Sequence, residues 1–168
     1  MDETGINTAM TRRYGRAPRG ERVHDSAPRN YGSHTCVIGA PGLRGLVATL
    51  TVESAVDTLC FDAYAEKMLG RRLRRGDVVV LDNLGAHKAS RIKEVAEGRG
   101  AQVLWLSPYS PDFTPIEQCW SKIKTYLRGA KARTENELKK ALAQAIGLVT
   151  KADIRGWFRH CGYSIARK

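Results

Sequence analysis

The stretch VVVLDN at 78–83, followed by SRIKEVAEGRG at 90–100 and AQVLWLS at 101–107, constrains the fold more than any other part of the chain. Two apolar runs of strand length flank one segment of helical period. Strands that are continuously apolar belong in a sheet covered on both faces. A strand, a helix and a strand in that order join two parallel neighbours by a crossover, because a tight hairpin connects only antiparallel strands. Asp82 then stands at the carboxyl end of a parallel strand, where open α/β sheets gather their ligands. Turn chemistry offers a plainer account of the same residues, since Asp, Asn and Gly commonly end strands.

The segments on either side extend this plan. SHTCVIGA and LVATLTV are short β-branched runs separated by PGLRG, the pattern of a hairpin. TLCFDAYAEKML spaces Leu59, Ala63, Met68 and Leu69 at helical intervals and stops near Gly70, ahead of the cluster RRLRRG. TPIEQCWSKIKTYLRGA opens with Thr114 as a cap and Pro115 in the first turn, and Ile116, Trp120, Ile123 and Leu127 form its apolar stripe. TENELKKALAQAIGLV begins with a capping box from Thr134 to Glu137, and KADIRGWFRHCGY is a short further helix. The order predicts an α/β fold, a mixed sheet with helices on its faces, and 168 residues suit one domain.

Charge narrows the function. Lys and Arg number 28 against 17 Asp and Glu, a formal charge of +11, which is the footprint of a polyanion binder. Nucleic acid leads over an acidic membrane surface. There is no apolar run of about 20 residues and no signal-peptide pattern, so the chain reads as cytoplasmic with no membrane role. Cys36, Cys60, Cys119 and Cys161 are far apart and form no C-x-x-C, so neither zinc nor a disulfide framework is expected.

Against that basic background two acids stand on rigid elements: Asp82 at a strand end and Glu117 at the flank of an inward-facing helical stripe. Converging carboxylates repel one another and persist together mainly around a hard cation. Magnesium or manganese is the natural occupant. Oxygen ligands in a basic surround suggest phosphoryl transfer on nucleic acid at a two-metal site.

LDNLGAHK, followed by PYSPDFTPIEQCWSKIK with residues 83 to 116 lying between Asp82 and Glu117, resembles the catalytic domain of mariner-type DDE transposases, especially their bacterial insertion-sequence branch. DETG at the start, with Asp2, looks like the first acidic motif of the same family. The resemblance covers nearly the whole chain. It implies a ribonuclease H-like fold over residues 1–168, and a triad of Asp2, Asp82 and Glu117 that binds two Mg²⁺ or Mn²⁺ ions. The implied reaction is hydrolysis of a phosphodiester at a transposon end, then attack of the freed 3′-hydroxyl on target DNA. Implied partners are transposon-end and target DNA, with a second copy of the chain and a separately encoded helix-turn-helix protein also open. The N-terminal helix-turn-helix region that family members carry is missing from this sequence, which reads as a catalytic portion. A non-catalytic DNA-binding remnant and a ribonuclease H-like nuclease of repair or RNA processing are the rival readings.

Other residues weigh less. Arg12, Arg13, Arg16, Arg19 and Arg22 crowd an irregular loop with Tyr14 and would track a DNA backbone; the bland alternative is a solubilising loop. Lys124 lies seven residues beyond Glu117, on the same helical face, and Lys88 sits in the turn after Asp82; both are candidate phosphate contacts. Asn83 and His87 either assist Asp82 or shape the turn. Lys122, Arg128, Lys131 and Arg133 read equally well as solvated surface. Trp120 reads as core. Asp112 and Glu3 are set aside, the first in a proline-rich turn and the second pointing away from Asp2 on a strand.

Overall fold

A computed structural model describes residues 1–32, 34–53, 55–82, 91–108 and 110–165. Strand β1 (Asp2–Ile6) pairs antiparallel with β2 (Thr35–Gly42), which pairs antiparallel with β3 (Gly45–Val52). The β2–β3 hairpin turns on Leu43 and Arg44, and Gly45 has φ +133°, a conformation few other residues adopt. Helix α1 (Thr58–Tyr64) starts at Asp57, whose carboxylate accepts from the Cys60 backbone, and runs on into a wider π turn over Ala65–Leu69. Strand β4 (Val78–Leu81) and strand β5 (Gln102–Trp105) then pair in parallel across α2 (Ile92–Glu97), which is the expected crossover. A 3-10 turn at Pro111–Phe113 leads into α3 (Pro115–Ala130), α4 (Glu135–Gly147) and α5 (Lys151–His160). Antiparallel and parallel pairing therefore coexist, and the backbone nitrogen of Met1, 2.7 Å from the Val80 carbonyl oxygen, ties β1 to β4.

The core divides across β2, because successive side chains on a strand face opposite sides. Val37 packs with Ile6 and the apolar faces of α3 and α4, including Ile116, Trp120, Ile123, Leu138 and Leu142. Ile38 and Ala40 turn to the other side, against Phe61, Tyr64, Leu69, Val79, Leu81 and Ile92. This corrects one expectation: β2 is the strand covered on both faces. Val78 is 54% exposed and Leu104 is 49% exposed, so β4 and β5 each show an apolar residue to solvent.

The apolar face of α1 also differs from its periodicity. Leu59 and Met68 are exposed, while Phe61, Tyr64, Ala65 and Leu69 are buried. The π turn adds a residue to the helical repeat and shifts the phase of the inward face. The stripe on α3, by contrast, is buried at Ile116, Trp120, Ile123 and Leu127 as its spacing predicts. Both Thr134 on α4 and Thr150 on α5 form reciprocal capping boxes, with Glu137 and Asp153 respectively. Among the described residues no helix is long and apolar enough to cross a membrane.

Candidate active site

Asp2 opens β1, directly opposite Gly39 of β2. Trp120 of α3 lies under that pair, and its indole Nε1 donates to Asp2 Oδ2 at 3.2 Å. A Cβ on residue 39 would stand 2.6 Å from Cη2 of the indole. The ring reaches Asp2 because residue 39 has no side chain. Sequence reading assigned Trp120 to the core, which is correct for its burial but misses its polar edge; the one available signal is that a buried indole N–H seeks an acceptor.

Asp82 follows the last residue of β4, where the Leu106 backbone donates to the Leu81 carbonyl at 2.8 Å and continues the ladder to the strand's end. Glu117 sits in the first turn of α3. Pro115 occupies the first helical position, where its missing N–H costs nothing. Thr114 precedes it, but its hydroxyl does not cap the helix. It donates instead to the Pro111 carbonyl at 2.6 Å, tightening the 3-10 turn, while the Glu117 backbone donates to the Thr114 carbonyl at 3.1 Å.

These three elements bring Asp2, Asp82 and Glu117 to one cavity of about 330 Å³, with Ser107, Ser110 and Thr114 on its wall. A larger cavity of about 540 Å³ adjoins it, sharing Met1 and Thr114, and extends between the β2–β3 hairpin and β4 with mainly apolar side chains on its wall. Chemistry rather than size marks the site. Burial pushes the Asp2 carboxyl up to about 6; the Glu3 backbone hydrogen bond opposes this, and the charges of Glu3 and Glu117 add to it. Burial likewise lowers the Met1 ammonium to about 6, against the pull of Asp2, Asp82 and Glu3. An acid held near neutrality by desolvation and neighbouring charge is one that a cation would return to its ionised form.

The donor set fits a hard divalent ion in kind: carboxylate oxygens, with no thiolate or imidazole among the described lining. Among the described residues, however, no group of three or more Asp, Glu, His or Cys side chains is gathered tightly enough to hold an ion as it stands. The carboxylates share a cavity rather than a ready coordination shell.

The remaining candidates are spread out. Asp112 lies in the exposed Pro111–Phe113 turn, away from the cavity wall. Lys124 is half-buried on α3 two turns beyond Glu117 and does not line the cavity. Lys122 is ion-paired with Asp153 at 2.6 Å and binds α3 to α5. Asn83, His87 and Lys88 lie outside the described residues. Arg12, Arg13, Arg16, Arg19 and Arg22 are all exposed on the excursion between β1 and β2. That excursion doubles back on itself: Gly15 lies against Val23, Gly32 against Thr8, and the Glu21 backbone donates to the Pro18 carbonyl at 3.1 Å to close the tip. Arg133 holds its start by donating to the carbonyls of Thr8 and Met10 at 2.7 and 3.2 Å, and Lys131 pairs with Asp25 at 2.6 Å.

A family model described as DDE superfamily endonuclease matches residues 1–139. No curated protein matches the chain by sequence. Among solved structures, a Mos1 transposase paired-end complex with left transposon end is similar with a TM-score of 0.72 at 18% identity, over 96% of this chain and 50% of that one. A Mos1 mariner paired-end complex with Mn gives 0.71 at 18% identity, over 96% of this chain and 52% of that one. The catalytic domain of Mos1 mariner transposase gives 0.62 at 15% identity, over 77% of this chain and 68% of that one. At such identities the likeness is one of fold, and it bears out the ribonuclease H-like α/β expectation. The chain spans about half the length of the first two of these structures.

Proposed function

The chain belongs to the DDE superfamily endonuclease family, and from that premise we propose that it is the catalytic domain of a mariner-type transposase, cutting DNA at transposon ends and joining the freed ends to a target. The observation that carries this reading is the convergence of Asp2, Asp82 and Glu117 from β1, the end of β4 and the first turn of α3 onto one cavity. The similar structures include a complex with a transposon end and one with Mn, which supports the choice of substrate and metal.

In this reading Asp2, Asp82 and Glu117 hold Mg²⁺ or Mn²⁺ through their carboxylate oxygens. The bound ions supply Lewis acidity and a nucleophile at neutral pH, so that no side chain has to attack phosphorus. The cleavage is a balanced hydrolysis: a water oxygen bonds to phosphorus, the P–O3′ bond breaks, and the 3′-oxygen leaves as a hydroxyl. The reverse-sense step bonds that 3′-oxygen to a target phosphorus and releases a target 3′-hydroxyl. Trp120 orients Asp2 by its indole N–H. Ser107, Ser110 and Thr114 complete the cavity wall. The arginines of the β1–β2 excursion hold the DNA backbone, and binding through them loosens steeply as salt rises.

The test is nicking of supercoiled plasmid by the purified chain in Mg²⁺, Mn²⁺ and Ca²⁺. Nicking in Mg²⁺ or Mn²⁺ that Asp82→Asn abolishes is the expected result. DNA binding with no nicking in any metal would replace this reading with that of a non-catalytic DNA-binding remnant, and preferential cleavage of RNA–DNA hybrids would replace it with a ribonuclease H-like nuclease.

A further inference from the structure

The stretch GYSI at 162–165 follows α5 and lies outside the residues 1–139 that the family model matches. It nonetheless returns to the neighbourhood of Glu117. Helix α5 ends in a reversal: Gly162 has φ +83°, its amide donates to the Arg159 carbonyl at 3.0 Å, and the Tyr163 amide donates to the Phe158 carbonyl at 2.9 Å. This pair of bonds marks a glycine-terminated helix end, in which the residue after the glycine folds back on the last helical turn. The ring of Tyr163 accordingly packs on Phe158, with centroids 5.5 Å apart. Backbone and ring are thereby fixed, and the hydroxyl donates to the Phe113 carbonyl at 2.8 Å. The first turn of α5 is fixed as well, by the 2.6 Å pair of Asp153 with Lys122 on α3.

The Phe113 carbonyl belongs to the segment that aims Glu117. The amides of Phe113 and Thr114 donate to the carbonyls of Ser110 and Pro111 at 3.3 and 2.9 Å, and the Glu117 amide donates to the Thr114 carbonyl at 3.1 Å. Ser110, Pro111 and Thr114 line the carboxylate cavity, while Phe158 and Tyr163 line the larger cavity beside it. The segment is therefore held from one cavity and faces the other. A 3-10 turn has poor hydrogen-bond geometry, and the Phe113 side chain is exposed, so little within the turn anchors it. An external bond counts for more there than it would inside a helix. Phenylalanine at 163 would pack on Phe158 equally well; what tyrosine adds is the hydroxyl. Burial pushes its phenol up, so it keeps the proton it donates.

We infer that Tyr163 is a positioning residue for Glu117. Its hydroxyl, through the Phe113 carbonyl, sets the Pro111–Phe113 turn and with it the first turn of α3, so that the Glu117 carboxylate is held in the cavity it shares with Asp2 and Asp82. Tyr163 touches neither metal nor DNA in this role, which rests on Glu117 being a metal-holding carboxylate.

Tyr163→Phe in the full chain removes the hydroxyl and keeps the ring. With no metal added, the amides of Phe113, Thr114 and Glu117 should exchange with deuterium about fivefold faster, the factor that one lost hydrogen bond gives. Calorimetric titration should show Mn²⁺ binding about tenfold weaker, as when an outer partner of a ligand is lost. Tyr126→Phe is the control, because that hydroxyl donates to Gln144 Oε1 at 3.0 Å, from the same helix as Glu117 but away from the turn. It should leave both readings unchanged. In a Glu117→Gln background Tyr163→Phe should weaken Mn²⁺ binding by less than about twofold, whereas a general loosening of the fold would weaken it equally in both backgrounds. Unchanged Mn²⁺ affinity in Tyr163→Phe overturns the proposal, with or without faster exchange, and so does an equal loss in the Glu117→Gln background. If Glu117→Gln itself leaves Mn²⁺ affinity intact, the metal role of Glu117 fails and the role of Tyr163 falls with it. If Glu117→Gln weakens binding and Tyr163→Phe does not, the role of Tyr163 fails alone.

Discussion

Asp2 and Asp82 end up facing one cavity, but the two halves of the molecule hold them by different means. Asp2 belongs to the antiparallel half, where β1, β2 and α3 share a packed interior and an indole N–H fixes the carboxylate from below. Asp82 belongs to the parallel half, where it follows a four-residue strand bonded to β5 from Val78↔Gln102 to Leu81↔Trp105. Glu117 sides with the first half, since α3 packs against β2. The difference teaches that the site's geometry depends on packing on one side and on strand pairing on the other, so that different substitutions should disturb each.

Removing a carboxylate should have the largest effect. Asp82→Asn, or Glu117→Gln, is expected to reduce divalent-dependent nicking by more than about 100-fold, the upper end of what loss of a merely supporting residue does, with an unchanged thermal melt. A variant that nicks at the original rate would remove that residue from the site.

Next in size is overpacking of the antiparallel half. Gly39→Ala places a Cβ against Trp120 at 2.6 Å, and crowding a filled core costs about 1–3 kcal/mol. Gly147→Ala, at the end of α4 with nothing within 4 Å of the added carbon, should instead stabilise by up to about 1 kcal/mol. Denaturant melts of the two variants compare the positions directly; equal stabilities would show that the indole moves aside freely.

Comparable in size is Trp120→Phe, which keeps a six-membered aromatic ring and removes the pyrrole part of the indole with its N–H. Stability should fall by at least about 0.5–1.5 kcal/mol, the usual worth of one hydrogen bond, because the smaller ring also leaves space at a buried position. Mn²⁺ affinity should drop by about tenfold, as when an outer partner of a ligand is lost. Calorimetric titration with Mn²⁺ reads the second effect, and an unchanged affinity would reduce Trp120 to packing. The least effect is expected at Asp153. The Lys122 ammonium, then the Thr150 hydroxyl and backbone, hold its carboxyl down to about 2. Because the folded value lies below the unfolded one, the stabilisation is fully present above about pH 4 and is lost as the pH falls through about 2. Asp153→Asn should therefore be slightly less stable than the original chain at pH 6 and equal to it near pH 2. The pair is partly solvated, so the gap stays within about 1 kcal/mol.

The parallel crossover, the hairpin, the α3 stripe and the Thr134 capping box were legible in the sequence because each rests on local period or cap chemistry. The coverage of β4 and β5 was not. A run of valines reads as buried on both faces, while Val78 and Leu104 are open to solvent, since coverage is settled by distant elements. The phase of α1 failed for a local reason, the π turn after Tyr64, which no spacing rule anticipates. Thr114 was read as a side-chain cap, and Pro111 drew its hydroxyl away. For the candidate site, Asp2, Asp82 and Glu117 were singled out by motif and spacing and line one cavity, whereas the Gly39–Trp120–Asp2 arrangement joins residues far apart in the chain and leaves no pattern to read.

The excursion between β1 and β2 carries a consequence for how a chain of this kind can vary in length. Its residues contribute little to either core cluster, Met10 excepted. It starts and ends on paired strands whose register, Ile6 against Thr35, does not depend on what lies between. Doubling such a loop costs only about 0.6 kcal/mol in closure entropy, so insertions there change the numbering from Asp2 to Asp82 without moving either carboxylate. A one-residue insertion inside Val78–Leu81 would instead turn Asp82 to the opposite face of its strand. The distance in sequence from the first acid to the second is therefore free to drift, while the four residues before the second are not.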